Sequence, residues 1–199
     1  MNHRHFLIYK PYNMLSQFTT NDSHQKKKNF LGDFHNFPSE SMAVGRLDEN
    51  SEGLLIITTD GTLSNLLNNK GKVEKEYYAQ VDGTITLEAL DKMTSGIEIS
   101  TDGNKYRTQE CQARILDRLP QLPQTLQRVR DDRHGPTSWV SITLKEGKFR
   151  QVRKMCAAAG FPVLRLARVR IGDLKVADLK GEKVLEITNQ ITISKRNLL

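Results

Sequence analysis

The run "GLLIITTDG", residues 53–61, sets four large aliphatic residues in succession without polar alternation and closes on Asp60-Gly61. A short unbroken apolar run of this kind reads as a buried strand, and Asp-Gly reads as the turn that ends it. Just before it, "AVGRLDENSE", residues 43–52, crowds Arg46, Asp48, Glu49 and Glu52 into one polar segment. Asp, Asn, Ser and Gly dominate turns because they bond their own backbone or tolerate positive φ, so Asp48 reads first as a turn residue. Two features point beyond that reading. Arg46 sets a cation close to the carboxylate, and the buried strand anchors the segment on a rigid element, where a reactive group needs to be.

Other segments fill in the sheet. "FLIYKPY" is a short buried strand stopped by Pro11. Residues 19–41 are polar, include Lys26, Lys27 and Lys28, and read as a surface loop or weak helix. After the Asp-Gly turn, Asp60 or Thr62 can cap a helix carrying Leu63, Leu66 and Leu67. "EKEYYAQVDG" alternates, with Tyr77, Ala79 and Val81 on one strand face and Tyr78 and Gln80 on the other. "TLEALDKMTSG" predicts a helix burying Leu87, Leu90 and Met93 and stopped by Gly96. Residues 117–137 hold three prolines and several arginines without periodicity, a loop long enough to be functional or disordered. "SWVSITLKEG" is a strand burying Val140, Ile142 and Leu144. "RQVRKMCAAAGFP" is a helix with core positions Val152, Met155, Cys156 and Ala159. "VLRLARVRIGD" is a strand with Val169 and Ile171 on one face and Arg168 and Arg170 on the other; the last dozen residues form an edge strand or a tail. Strands and helices mix without a βαβ rhythm, which predicts an α+β fold with a largely antiparallel sheet.

Composition narrows the class of function. With 199 residues, 37% hydrophobic and 27% charged, and no apolar run of membrane length, the chain has the profile of a soluble globular protein. Cys111 and Cys156 lie far apart with no CxxC spacing, which excludes a disulfide framework and fits a reducing cytosol. The net charge is +7, and it is concentrated: residues 128–170 carry eleven Lys or Arg against three acids, net +8, which leaves the remainder at −1. A localised surplus of this kind points to a polyanionic partner. Lys148, Arg150, Arg153 and Lys154 moreover stand at the start of a helix, where the dipole favours anions and cations cost stability. An anion docked at that helix start compensates them.

Four motifs then coincide in order along residues 8–173. "GRLDENSEGLLIITTDG" resembles the signature GRLDxxTxGLLLLTNDG of the ribosomal pseudouridine synthase family. "YKPYNM" resembles its KPxG element, "KEYYAQV" its K-x-Y strand, and "EGKFRQVRKMCAAAGFPVLRLARVRIG" its EGKNRQVRRM…HPVxRLxRxxIG region. The resemblance implies a pseudouridine synthase fold, a mixed, largely antiparallel sheet with flanking helices and a central active-site cleft. It implies one catalytic domain over residues 1–187 with a tail at 188–199, and no basic RNA-binding domain ahead of it. Asp48 would be the catalytic aspartate, attacking the sugar or otherwise labilising the N-glycosidic bond. Tyr77 would lie against the uracil ring, and Arg153 would pair with Asp48 and keep it ionised. Arg46 would help displace the target base or hold the backbone; Lys10, Lys148, Arg150, Lys154 and Arg168 would contact RNA; Leu166 would wall the pocket. No cofactor or metal is implied. Within the family the short E-type, large-subunit branch is particularly similar, which points to 23S rRNA or its precursor as partner, to a cytoplasmic monomer, and to no membrane role.

The chain departs from the pattern at Asn13, where glycine is common, at Ser51, where threonine is usual, and at Phe149, where asparagine or histidine is common. None of these falls on Asp48, Tyr77 or Arg153, so they bear on RNA preference rather than chemistry. Two other readings remain open. A glycoside or nucleoside hydrolase would need a second carboxylate as general acid, with Glu49 and Glu52 as candidates. A non-catalytic rRNA-binding or ribosome-assembly protein would need none of the three catalytic side chains. His3 and His5 form an HxH too sparse for a metal site, Cys156 reads as core, and Trp139 reads as packing.

Overall fold

The computed structural model describes residues 3–25, 27–68, 73–130 and 132–188. In chain order the elements are β1 (His5–Lys10), a 3-10 turn Ser23–Gln25, α1 (Leu31–Phe34), β2 (Met42–Val44), β3 (Glu52–Thr58), α2 (Gly61–Asn68), β4 (Lys75–Asp82), α3 (Leu87–Thr94), β5 (Glu98–Thr101), β6 (Asn104–Arg107), β7 (Gln112–Ile115), a 3-10 turn Asp132–His134, β8 (Thr137–Leu144), α4 (Gln151–Ala158), β9 (Val163–Ile171), β10 (Leu174–Lys175), a 3-10 turn Val176–Leu179 and β11 (Val184–Glu186). The strand pairs described below are all antiparallel, and the class is the expected α+β. The chain forms two compact units, one of the described residues up to Val73 and from Val169 onward, the other of Glu74–Arg168.

In the first unit β1 lies between β3 and β11, with Leu7 opposite both Ile56 and Leu185. β2 also pairs with β3, through Val44 opposite Ile56. All seven residues of β3 are buried, because two separate cores cover its faces. Leu54 and Ile56 join Leu7, Leu63 and Leu67 on one side, while Leu55 and Ile57 join Phe6, Ile8 and Leu31 on the other. This double cover is why the run lacks polar alternation. Asp60, not Thr62, caps α2: its Oδ1 accepts from the N–H groups of Thr62 and Leu63 at 2.9 and 3.1 Å.

In the second unit β8 lies between β4 and β7. Its core gathers Ala79, Val81, Val140, Ile142 and Leu144 from the strands with Ala89, Leu90 and Met93 of α3 and Val152, Met155 and Cys156 of α4. Thr86 Oγ1 accepts from the Ala89 N–H at 3.2 Å and caps α3, and Gly96 ends it at φ +87°, where an added Cβ would sit 2.5 Å from Thr108 O. Leu87 differs from the sequence expectation. It occupies the first helical position, is exposed, and Ala89 takes its place in the core. The β5–β6 hairpin, absent from the sequence reading, turns on Asp102 and Gly103, both at positive φ as a tight hairpin requires. Residues 116–130 have no regular structure. They are held where Gln127 donates to Leu164 O, where Arg165 donates to Pro123 O at 2.9 Å, and where Arg130 pairs with Asp82.

Both cysteines belong to this unit. Burial pushes the Cys111 thiol up to about 11 and the Cys156 thiol up to about 12. At pH 8 each is therefore protonated and unreactive, since the thiolate is the nucleophile. A disulfide reagent is expected to label neither in the native protein and both after denaturation, read as released chromophore; labelling of the native protein would contradict this placement. The C-terminal segment beyond Thr188, for which an edge strand or tail was expected, lies outside the described residues, as does Lys26.

Candidate active site

In the first unit the segment carrying Asp48 is clamped from the KP element, and almost wholly through backbone. Ser16 Oγ accepts from the Leu47 N–H at 3.0 Å and donates to Leu47 O at 2.8 Å, gripping the residue before Asp48 from both sides. The Ser51 N–H donates to Asp48 O at 3.0 Å, closing the turn, and the Asn13 N–H donates to Glu49 O at 2.9 Å. Gly45 N–H donates to Asn68 Oδ1 at 2.9 Å, tying the other end to α2. Leu47 and Ser51 are buried, Asp48 is half-buried and Arg46 is exposed. Within this unit the bonds that hold the loop engage the backbone of Gly45, Leu47, Asp48, Glu49 and Ser51, not the Asp48 carboxylate.

Two of the departures from the family pattern thus touch the loop after all. Asn13 takes φ 60°, a left-handed conformation that Asn tolerates better than other non-glycine residues, and so serves where glycine is common. Ser51, buried, supplies the turn-closing N–H. Lys10 corrects an expectation. It is fully buried, and its Nζ donates to Pro11 O at 2.8 Å and Met14 O at 2.7 Å, so it pins the 11–14 turn instead of facing RNA phosphates. Glu49 pairs with Lys28 at 2.6 Å in a surface ion pair, and Glu52 is buried in β3. His3 Nδ1 lies 3.1 Å from Thr59 O and His5 Nδ1 2.7 Å from Thr58 Oγ1, so both rings of the HxH face the β3 end.

In the second unit Tyr77 is half-buried, opposite Ile142 in register, and packs on the same core as Ala79 and Val81. Burial, with the Arg168 charge added, pushes the nearby Lys75 ammonium below its ordinary value. Arg153, half-buried on α4, donates to Val163 O at 3.4 Å. Arg150 is the residue before α4; it is exposed, has φ 53°, and makes no side-chain cap, and the first turn holds no acid. The start of α4 is organised instead by Glu146, a residue the sequence reading counted only as a charge. Glu146 is 7% exposed and accepts from the Tyr106 hydroxyl at 2.6 Å, the Gln109 N–H at 2.8 Å and the Gln151 side-chain amide. Gln151 Oε1 in turn accepts from the Lys148 N–H at 2.9 Å. The only sequence signal for this hub was the Glu of the "EGK" triplet.

Leu166 is buried in the core of this unit. Arg168 also corrects an expectation. It is 1% exposed, although alternation set it on the face opposite Val169 and Ile171 and the family resemblance implied an RNA contact. Lys148 Nζ lies 4.3 Å from the Tyr106 ring centroid and Lys154 Nζ 5.1 Å from that of Phe149. Arg150, Lys148 and Lys154 therefore stay near the surface at the head of α4.

The sequence profile of the RNA pseudouridylate synthase family matches residues 4–158. A ribosomal large subunit pseudouridine synthase E of Xanthomonas axonopodis pv. citri is 42% identical over 85% of this chain and 86% of its own length. One of the same description from Vibrio parahaemolyticus is 37% identical over 94% of this chain and 74% of its own. A crystal structure of a pseudouridylate synthase, 24% identical, has a TM-score of 0.74 and covers 99% of this chain and 74% of that one, which bears on the fold alone. The clamp on Asp48, the Tyr77 strand face and the turn ahead of Arg153 all fall inside the matched residues, and the chain belongs to the RNA pseudouridylate synthase family.

Proposed function

We propose that the chain converts a uridine of large-subunit ribosomal RNA, 23S rRNA or its precursor, to pseudouridine, with Asp48 acting at the glycosidic bond. The observation that carries this reading is the half-buried Asp48 carboxylate on a loop held by its own backbone. The RNA class rests on the descriptions of the relatives from Xanthomonas and Vibrio. The isomerisation breaks C1′–N1, forms C1′–C5, moves a proton off C5 and returns one to N1. It needs no redox partner. A carboxylate serves the first step by stabilising cationic character at C1′ or by forming a transient ester there. In this reading Arg153 is the guanidinium that acts with Asp48. Tyr77 lies against a flipped uracil, which is inaccessible within a helix, and Arg46 helps displace that base or holds the RNA backbone. We infer one catalytic domain over residues 1–187. We infer a monomer acting in the cytoplasm; no helix among the described residues is long and apolar enough to cross a membrane.

The test is direct. Large-subunit rRNA transcribed with uridine tritiated at C5 should release tritium and keep its chain intact, because forming C1′–C5 displaces that hydrogen. Release of free uracil would mark a hydrolase instead. Binding should also depend steeply on salt. With roughly four phosphate contacts from Arg46, Lys148, Arg150 and Lys154, affinity is expected to fall about fiftyfold between about 50 and about 200 mM monovalent salt. A flat dependence in a filter-binding titration would contradict the basic surface as the RNA site.

A further inference from the structure

We propose that Phe149 is a stacking platform for an unpaired nucleobase of the RNA, an inference that rests on the reading of the chain as an enzyme acting on RNA. Phe149 is 64% exposed, and among the described residues it is the one aromatic in the set of exposed large hydrophobics, the others being Leu87, Leu119 and Leu126. A single exposed apolar side chain is ordinary, but the setting of this one is not. Its neighbours in sequence are Lys148 and Arg150, and Lys154 Nζ stands 5.1 Å from its ring centroid. An apolar protein partner would favour apolar surroundings. A ring bordered by cations suits a partner that offers both π faces and phosphates, which is single-stranded nucleic acid.

The turn also holds the backbone on both sides of the ring. Arg150 follows at φ 53°, a strained conformation for a non-glycine residue. Gln151 bonds back to the Lys148 N–H and to Glu146, whose carboxylate is fixed by Tyr106 and Gln109. A backbone already fixed leaves only the side-chain rotamer to be ordered when a base stacks on the ring. Asn or His, common at this position in the family pattern, would present less apolar area, so Phe149 sets this chain's preference for an unpaired base at that point.

The experiment compares wild type, Phe149→Ala, Phe149→Trp and Lys154→Ala for equilibrium binding of a labelled, unstructured RNA oligonucleotide across a salt series, with tritium release from rRNA measured in parallel. Phe149→Ala is expected to weaken binding about tenfold with an unchanged salt slope and an unchanged melting temperature. Phe149→Trp should restore affinity, and Lys154→Ala should lower the slope by about one. Wild-type affinity in Phe149→Ala, a lowered slope in that variant, or failure of Phe149→Trp to restore binding would each overturn the inference while leaving tritium release by wild type intact. Absence of tritium release by wild type from any rRNA would instead remove the functional reading on which it rests.

Discussion

Asp48→Asn is expected to leave RNA binding within about twofold of wild type and to lower pseudouridine formation by at least about a thousandfold, the scale on which loss of a reacting group acts. The structure makes this substitution a clean one. The contacts that hold the loop run through Leu47, the Asp48 carbonyl, the Glu49 carbonyl and Gly45, and none uses the Asp48 carboxylate. Asparagine keeps the shape and removes the charge, so the loop should stay in place while the group acting at C1′ is lost. Single-turnover tritium release and filter binding read the two effects separately. Turnover retained in this variant would remove Asp48 from the mechanism. Loss of both binding and turnover would mean that the clamp does not work as described.

Glu146→Ala carries the second large effect, on stability. Glu146 is buried, and its removal strands a tyrosine hydroxyl, the Gln109 N–H and the Gln151 amide. Losing one buried and two part-buried hydrogen bonds to a carboxylate costs about 3 kcal/mol here, by the usual values for bonds to a charged group. For a chain of this length that is roughly a 10 °C fall in melting temperature. Glu146→Gln retains an acceptor and a similar volume, and should lose roughly a third as much. Because Gln151 hangs from this carboxylate and the Lys148 N–H from Gln151, Glu146→Ala should also raise KM for RNA, measured below its melting transition, with kcat less affected. Thermal denaturation matching wild type would show that the hub carries no load.

Much of this could be foreseen locally. β3, β4, β8 and α4 were legible because each writes its burial into a short period: an unbroken aliphatic run, a two-residue alternation, or a three-to-four-residue stripe. Asp48, Tyr77 and Arg153 were legible as candidates because each sits within a dense motif, a property of neighbouring letters. The β5–β6 hairpin was missed although its Asp102-Gly103 turn is a standard signal, because both strands are short and largely exposed and so lack an apolar pattern.

The amino-acid order, read alone, established the class of fold and the family and put forward Asp48, Tyr77 and Arg153 as the candidates for the chemistry, since these depend on local periodicity and on motif spacing. Packing decided the rest. Lys10 and Arg168 look like surface cations in any one-dimensional reading, yet both are buried, because burial depends on what covers a strand and on which carbonyls lie within reach of a charged tip. Glu146 became a hub, and Asn13 and Ser51 became parts of a clamp, only when segments distant along the chain met. A hydrogen bond between residues 13 and 49, or 106 and 146, leaves no periodic trace in either segment.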